Sequence, residues 1–250
     1  MKGNMIDDQL AEQLNEIAVG CRVLALYGHE DKNLGHLSLR DPEGRGLWLK
    51  RAGVGLAEIE GPDDFTLIDF EGRKLHGTGT VHMEWPIHTE IMIARPEINV
   101  VGHTHPFYGC LFAATDENLV GLGHEGCYFG HDLPRYRGTS YLIDTQSLGR
   151  DLVAALGTRK AVLMNNHGVV FCGESMGVAG TLGITLEKAC RQQITLAATG
   201  YPLILPAEDE VKMKEEKLAS RATLERFWPY YVRMLARYES GHGKIVPLQG

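Results

Sequence analysis

Two histidines one residue apart, His103 and His105, follow the apolar run INVV at 98–101. Residues i and i+2 of a strand point to the same face, so both imidazoles would project together. His167 lies in a comparable setting, between the apolar segments KAVLM and VVFCG. Three neutral imidazoles around one centre predict an open metal site with a position left for substrate. The simpler alternative is that HxH is polar punctuation where a strand ends.

The type of ligand restricts which metal ions could bind at this site. Imidazole nitrogen suits zinc, manganese, cobalt or iron better than calcium or magnesium. We expect a divalent ion, with zinc or manganese first and cobalt or iron as alternatives. Just upstream, Glu84 and His88 are four residues apart on a predicted helix over 82–96 and share a face. A carboxylate there can be a ligand or can transfer a proton, whereas Glu90 is expected on an exposed face.

The elements that must position these side chains follow from hydrophobic periodicity. Helices are predicted over 6–28, 82–96, 106–115, 147–157 and 177–200, with one or two more within 208–240. Strands are predicted at 33–40, 47–50, 98–105 and 140–144, with two each in 65–75 and 160–173. No repeat or low-complexity linker divides the chain. We therefore expect one α/β (or α+β) domain over 1–250 with a C-terminal helical extension from about 208.

Composition limits the classes of function. The chain has 250 residues, of which 44% are hydrophobic and 23% charged, which is typical of a globular protein rather than a disordered one. The net charge of -7 argues against nucleic-acid binding. Without an apolar run of about 18 residues, no membrane span is expected, and the acidic N-terminal segment lacks the apolar region of a secretory signal. Five cysteines without CxxC spacing favour reduced thiols and a cytoplasmic location.

Together these motifs resemble the class II aldolase/adducin family, of the fuculose-phosphate aldolase type. The resemblance covers about residues 10–200 and rests on GHLSLR (35–40), the Glu84 helix, RPEINVVGHTHP (95–106), and NNHGVVFCG (165–173) with the LEKAC helix after it. It implies a three-layer α/β fold, in which a central, mainly antiparallel sheet has helices on both sides. It further implies a divalent metal on His103, His105 and His167, with Glu84 as the catalytic glutamate. Family members are commonly homotetramers with active sites at subunit interfaces.

Departures from the sugar-phosphate aldolases concern the phosphate-binding segments. His36 stands where those aldolases have Asn, Ala52-Gly53 where they have Thr-Gly, and His82-Met83 where they have Ser-Ser. Since hydroxyl and amide donors suit a phosphate, their replacement argues against a phosphorylated sugar. His124 falls near the position of an aldolase tyrosine. His36, His82 and His124 are therefore candidate substrate-binding residues, although His36 and His82 could instead be solvent-facing.

A second branch of the family resembles the chain more. These proteins decarboxylate hydroxylated aromatic or heteroaromatic dicarboxylates, tend to carry GHxSxR, and have a loop that resembles EGCYFGHDLPRY at 125–136. Some aldolase relatives also extend a C-terminal tyrosine into a neighbouring active site. Tyr231, in FWPYYVRMLARY, is a candidate for that role, and packing in a core or subunit interface is the alternative.

Three functions remain open. The first is a metal-dependent lyase that decarboxylates a hydroxylated aromatic or heteroaromatic dicarboxylate, as in aromatic catabolism. The second is a metal-dependent aldolase acting on an unphosphorylated hydroxy-keto compound, and the third is a non-enzymatic, adducin-like interaction module. The complete set of Glu84 and three histidines disfavours the module. Because the net charge of -7 repels a small anionic substrate, a local metal and nearby His or Arg must attract it.

Overall fold

The computed structural model describes residues 5–242, so both ends of the predicted 1–250 domain lie outside the described residues. Its helices are α1 Asp8–Leu24, α2 Trp85–Ala94, α3 Phe107–Ala113, α4 Gln146–Leu156, α5 Met176–Ala198, α6 Glu208–Leu218 and α7 Arg221–Glu239. Its strands are β1 His36–Arg40, β2 Leu47–Lys50, β3 Phe65–Ile68, β4 Lys74–His76, β5 Val100–Thr104, β6 Arg135–Tyr136, β7 Ala161–Met164 and β8 Gly168–Gly173. No helix within 5–242 is long and apolar enough to cross a membrane.

The strands form a single eight-stranded sheet in the order β4-β3-β2-β1-β5-β8-β7-β6. Every neighbouring pair is antiparallel except β6 and β7, which confirms the predicted, mainly antiparallel sheet. The central pairing matters most for function. In its register His36 lies opposite His103, and Val169 lies opposite Thr104. The sheet therefore brings together three segments that are far apart in sequence.

Helices cover both faces of the sheet, which confirms the three-layer α/β fold. On one face, Leu37, Val100 and Phe171 belong to the apolar core that includes residues of α1, α5 and α7. On the other, Val101, Val170 and Cys172 pack with residues of α2 and α4. Consecutive strand residues alternate between the two cores because their side chains point to opposite faces. The sequences of these strands are almost continuously apolar because both of their faces are buried.

Helix α1 has an aspartate cap at its N-terminus and continues into a π-helical turn at its C-terminus. Asp7 caps its N-terminus by accepting a hydrogen bond from the Leu10 N–H at 2.8 Å. After Leu24 the chain enters a π-helical turn over Ala25–His29, in which Gly28 has φ 92°. Such a left-handed conformation costs glycine little. The turn ends helical propagation and redirects the chain toward the end of β5.

Two predicted elements differ in the structure. The segment 140–144 forms no strand, and the short strand lies instead at Arg135–Tyr136, where it pairs with β7. The reason is a tertiary contact, because the Ile143 N–H that a strand would use donates to the Glu84 carboxylate at 2.9 Å. Helix α2 begins at Trp85 rather than at 82, so Glu84 precedes the helix instead of lying on it.

Glu90 was expected on an exposed face, and this expectation was wrong. Its side chain is only 5% exposed, because α4 packs across α2 at Gly149. A Cβ added at Gly149 would lie 2.7 Å from the Glu90 Cγ, so only glycine permits this approach.

The helices predicted within 208–240 correspond to α6 and α7. Helix α7 buries Leu224 and Trp228 in the core shared with α1 and α5.

Candidate active site

The structure brings Glu84, His103, His105 and His167 together at one end of the sheet. One ligand atom from each lies within 4.8 Å of the corresponding atoms of the other three. His103 is near the end of β5, His105 lies just beyond it, and His167 is in the turn between β7 and β8. Four residues from three separate parts of the chain therefore converge on one point.

The β7–β8 turn can approach β5 because of its backbone. Asn166 has φ 51°, a left-handed conformation that asparagine tolerates better than most residues. At Gly168, an added Cβ would lie 2.6 Å from the His105 Cδ2 and 2.7 Å from the Thr104 carbonyl oxygen. A larger residue would push the turn away, so Gly168 permits His167 to lie beside the other two histidines.

The donor atoms of the four residues fit a divalent cation. The Nε2 atoms of His103 and His105 are 3.1 Å apart, and the Glu84 carboxylate oxygens lie 3.5 Å from the Nε2 atoms of His103 and His167. Ligand atoms about 2.1 Å from a tetrahedral zinc lie roughly 3.4 Å from one another. These three distances are therefore compatible with ligands of one metal ion.

The protonation of His103 also favours a cation. Its Nδ1 is 3.0 Å from the Val169 carbonyl oxygen, which can only accept a hydrogen bond. The proton is therefore on Nδ1, and the Nε2 lone pair faces the cluster, as in metal-binding histidines whose other nitrogen donates to a carbonyl. His103, His105 and His167 could hold the ion, with Glu84 as a fourth ligand or a proton-transfer group.

Glu84 is buried yet remains ionised. Burial by itself would raise its pKa, but the adjacent imidazoles of His103 and His167 lower the pKa well below the usual range. The Ile143 N–H also donates to Oε1. Hydrogen bonds to the charged form favour it, so the carboxylate form predominates at neutral pH.

A second group of imidazoles lies against the first. His36 Nδ1 is 2.7 Å from His88 Nε2, and His88 Nδ1 is 2.7 Å from Ser38 Oγ. The centre of the His36 ring lies 4.4 Å from the centre of the His82 ring and 5.2 Å from the centre of the His103 ring. His103 belongs to the cluster, so the two groups are in contact there. His36 and His88 are fully buried, so the solvent-facing alternative for His36 is wrong.

These imidazoles are neutral. Burial, followed by the charges of neighbouring groups, lowers the pKa of His36 and of His88 well below 6.5. Burial and the Lys50 ammonium lower the pKa of His82 to about 3. Lys50 is itself buried and donates to the carbonyl oxygens of Arg51 and Val54. Neutral imidazoles beside a buried cation can donate hydrogen bonds to an anion without first taking up a proton.

An open cleft of about 810 Å³ leads to the cluster, a volume in the usual range for small-molecule sites. His105 and His167 line one side of it. Much of the remaining lining is apolar or aromatic, and it includes Leu34, Phe107, Leu111 and Tyr141. Several of these side chains are well exposed, so the cleft has an apolar rim next to a polar floor that carries the predicted metal ligands.

Two predicted substrate residues do not lie at this cluster in the chain. His124 is exposed in a turn that precedes a short 3₁₀ segment at Gly126–Tyr128. Tyr231 lies in the core, where its ring meets that of Tyr27 edge-on at 5.0 Å. Neither lines the cleft. A substrate role for these two residues stays a prediction that would require a neighbouring subunit.

Sequence reasoning missed two side chains at the site. Asp31 Oδ2 lies 3.2 Å from His105 Nδ1, and Asp31 lines the cleft. His88 was considered only through its spacing from Glu84, whereas in the structure it contacts His36. Asp31 gave no periodic signal because it follows the π-helical turn. Only the register of β1 against β5 could have placed His36, and hence His88, beside His103.

The Class II Aldolase and Adducin N-terminal domain matches residues 15–194. The chain belongs to this family. The predicted resemblance is thereby confirmed, and the chain is a class II aldolase-family lyase. Class II aldolases use a divalent metal, which agrees with the Glu84 and three-histidine cluster.

Individual relatives include two kinds of enzyme. The 3,4-dihydroxyphthalate decarboxylase of Arthrobacter keyseri is 31% identical over 217 residues, which are 80% of this chain and 85% of that protein. The 5-methylthioribulose-1-phosphate/5-deoxyribulose-1-phosphate aldolase of Rhodospirillum rubrum is 28% identical over 195 residues, and the match covers 78% of this chain and 86% of that protein. The solved structure of the L-fuculose 1-phosphate aldolase from Glaciozyma antarctica PI12 matches this structure with a TM-score of 0.82 at 23% sequence identity. The match covers 97% of this chain and 95% of that chain. This last likeness concerns the fold.

Proposed function

We propose that the chain is a divalent-metal-dependent decarboxylase acting on a hydroxylated aromatic or heteroaromatic dicarboxylate. The observation that carries the proposal is an orphaned polar atom beside the cluster. His82 Nε2 is buried and has no hydrogen-bond partner among residues 5–242, and its ring packs against His36. A buried polar group without a partner is costly. A substrate carboxylate would satisfy it, and the similarity to a dihydroxyphthalate decarboxylase supports that substrate class.

In this proposal the two groups of imidazoles divide the work. His103, His105 and His167 would hold the metal, which when bound supplies Lewis-acid stabilisation of an enolate-like oxygen. His36 and His82 would donate to the second carboxylate, the one that is not lost. A hydrogen bond to a charged group contributes about 1.5–3 kcal/mol, enough to orient the ring in the site.

Glu84 would move the proton. As an ionised carboxylate, it accepts the proton of the substrate hydroxyl when the substrate binds. The carbon–carbon bond to the departing carboxylate then breaks, CO₂ leaves, and the bonding electrons remain on the ring carbon. Glu84 returns its proton to that carbon, so the carboxylate is replaced by hydrogen. A positioned group of this kind accelerates proton transfer by roughly 10²–10⁴-fold.

The walls of the cleft suit an aromatic ring. Phe107, Leu111 and Tyr141 supply apolar surface within reach of His105 and His167. A leaving carboxylate that points toward such a surface is poorly solvated, which favours its loss as neutral CO₂. Phe107 and Tyr141 are 67% and 66% exposed. This exposure supports the further proposal of a homo-oligomer, a tetramer by family resemblance, with sites at subunit interfaces.

The second candidate function is an aldolase cleaving an unphosphorylated hydroxy-keto compound. The methylthioribulose-phosphate aldolase relative favours it, because retro-aldol cleavage needs the same electron sink on a metal-bound oxygen. We propose a cytoplasmic location for either enzyme, since all five cysteines are free thiols. A non-enzymatic, adducin-like module would have no need of the converging Glu84 and three histidines.

A product assay separates these functions. The purified protein, reconstituted with Zn²⁺ or Mn²⁺, is mixed with a panel of hydroxyphthalates and hydroxypyridine dicarboxylates, and CO₂ release is measured. Aldehyde release from unphosphorylated ketoses is measured in parallel. We expect CO₂ from at least one dicarboxylate. Aldehyde release without CO₂ would favour the aldolase, and a protein that binds no divalent ion would contradict both enzymes.

A further inference from the structure

The last side chain of the π-helical turn and the next two contact the end of β5 and the loop after β2. His29 Nδ1 is 2.8 Å from the Thr104 hydroxyl, and the Glu30 carboxylate accepts from the Ala57 N–H at 3.1 Å. The Asp31 Oδ2 lies 3.2 Å from His105 Nδ1. Glu30 has an extended backbone, with φ -71° and ψ 125°. His29 and Asp31 therefore both reach the end of β5, while Glu30 reaches the loop after β2.

We propose that Asp31 is a positioning residue that holds His105 for metal binding. This inference rests on the metal binding of the proposed function. A carboxylate at Nδ1 favours the proton on that nitrogen and leaves the Nε2 lone pair directed at the cluster. It also makes the imidazole a stronger donor to a cation. At 3.2 Å the carboxylate oxygen faces Nδ1, although the two groups are not aligned as in an ideal hydrogen bond.

His105 needs such support more than His103 does. His103 lies within β5, where its backbone is fixed by pairing with β1 and β8 and its Nδ1 by the Val169 carbonyl. His105 lies beyond the last paired residue of β5, so the sheet does not fix its backbone in the same way. Among the described residues, Asp31 supplies the carboxylate that faces its Nδ1.

The segment that carries Asp31 is firmly anchored. His29 is fully buried and its ring meets Phe171 edge-on at 5.7 Å. Its bond to Thr104 ties it to the residue between the two predicted ligands His103 and His105. Asp31, two residues further along, is thus held beside His105 by a fixed backbone. Such π-helical turns often occur at functional sites. This turn places the buried His29 two residues before Asp31, so that the first side chain reaches Thr104 and the second reaches His105.

The test measures the affinity of metal-free protein for Zn²⁺ by competition with a chromophoric chelator. Asp31→Ala should weaken binding by about 10–100-fold, the usual effect of removing an outer partner of a metal-binding histidine. Asp31→Asn keeps an acceptor but loses the charge, so its loss should be smaller. Asp116→Ala is the matched control, because Asp116 is an exposed aspartate paired only with Arg137 on the surface. Circular dichroism verifies that each variant is folded.

The outcomes separate this inference from the proposed function. If the unaltered protein binds no Zn²⁺, the proposed function fails. If it binds and Asp31→Ala has an affinity within two-fold of it, the proposed function stands and the positioning role is wrong. Full affinity combined with lost turnover at saturating metal would also overturn the inference, because Asp31 would then act on the substrate. A loss of affinity in Asp31→Ala, with Asp116→Ala unchanged, would support it.

Discussion

Two groups of histidines lie side by side in this protein and differ in how their nitrogens are used. In the group of His103, His105 and His167, nitrogens face one another around a common point, with the Glu84 carboxylate beside them. In the neighbouring group, His36 and His88 are joined by a hydrogen bond that continues to Ser38. The same side chain thus forms a converging set in one place and a linked chain in the other.

The difference shows what distinguishes a predicted metal site from a polar core. Linked imidazoles satisfy one another, so they need no ion and can be fully buried without charge. Converging lone pairs repel unless a cation or proton lies between them. The composition gives only 11 histidines, whereas the arrangement of their nitrogens assigns them different roles. The experiments below should affect the two groups in different ways.

The largest effect is expected from the loss of a converging histidine. His105→Ala removes one of the three proposed imidazole ligands, and the metal affinity of this variant should fall by more than the roughly 10–100-fold expected when only a supporting residue is lost. Turnover should fall with it. Metal content after dialysis and the Zn²⁺ dissociation constant measure the change. His131→Ala, at an exposed histidine outside the cluster, should keep both metal and turnover.

Glu84 should behave differently from the histidines that surround it. Glu84→Gln keeps the size of the side chain and an oxygen that can accept from Ile143, but the amide cannot accept and return a proton. We expect the metal to be retained and kcat to fall by about 10²–10⁴-fold. Metal content and single-turnover kinetics make the measurement. Metal loss equal to that of His105→Ala would show that Glu84 is a ligand instead.

The linked group should control substrate rather than metal. His36→Asn introduces the residue that the sugar-phosphate aldolases are expected to carry there and replaces the imidazole donor to the second carboxylate with a shorter side chain. The loss of a hydrogen bond to a charged group should raise KM for a dicarboxylate by about 10–100-fold. The Zn²⁺ affinity should not change, and a monocarboxylate analogue serves as the control substrate. An equal change for both substrates would contradict a carboxylate-binding role.

The part of the site that the sequence predicted is the part that follows local patterns. HxH at the end of an apolar run places two imidazoles on one face, because strand side chains alternate with period two. His167 was recognised from a turn signal between two apolar segments. The strands predicted at 33–40 and 47–50 and the two predicted within 160–173 were confirmed, and in each case the two neighbouring segments pair with one another.

What the sequence could not predict depends on pairing between distant segments. The contact of His36 with His103 follows from the register of β1 against β5, which no local pattern specifies. Asp31 reaches His105 only because the π-helical turn redirects the chain after α1. The strand expected at 140–144 is absent because a distant carboxylate, Glu84, takes the N–H of Ile143. Tertiary contacts outweighed local propensity at each of these places.

The smallest effect expected is a change in the pH dependence of stability from the linked group. Burial, with the charges of His103 and His82, lowers the pKa of His88 well below 6.5, so the folded chain keeps His88 neutral. Below pH 6.5 the unfolded chain binds a proton there that the folded chain excludes. Stability from this group is therefore complete above that pH and is lost as the pH falls.

His88→Gln removes this titration while keeping a hydrogen-bonding side chain between His36 and Ser38. Between pH 6 and 5, the free energy of unfolding of the metal-free variant should fall less steeply than that of the unaltered protein, by about 1 kcal/mol per pH unit. Urea unfolding at several pH values measures the two slopes. His131→Gln controls for loss of an exposed histidine and should retain the original slope. Parallel curves for His88→Gln and the unaltered protein would mean that the folded state accepts a proton at His88, in which case the linked group resembles the converging one more closely than its hydrogen bonds indicate.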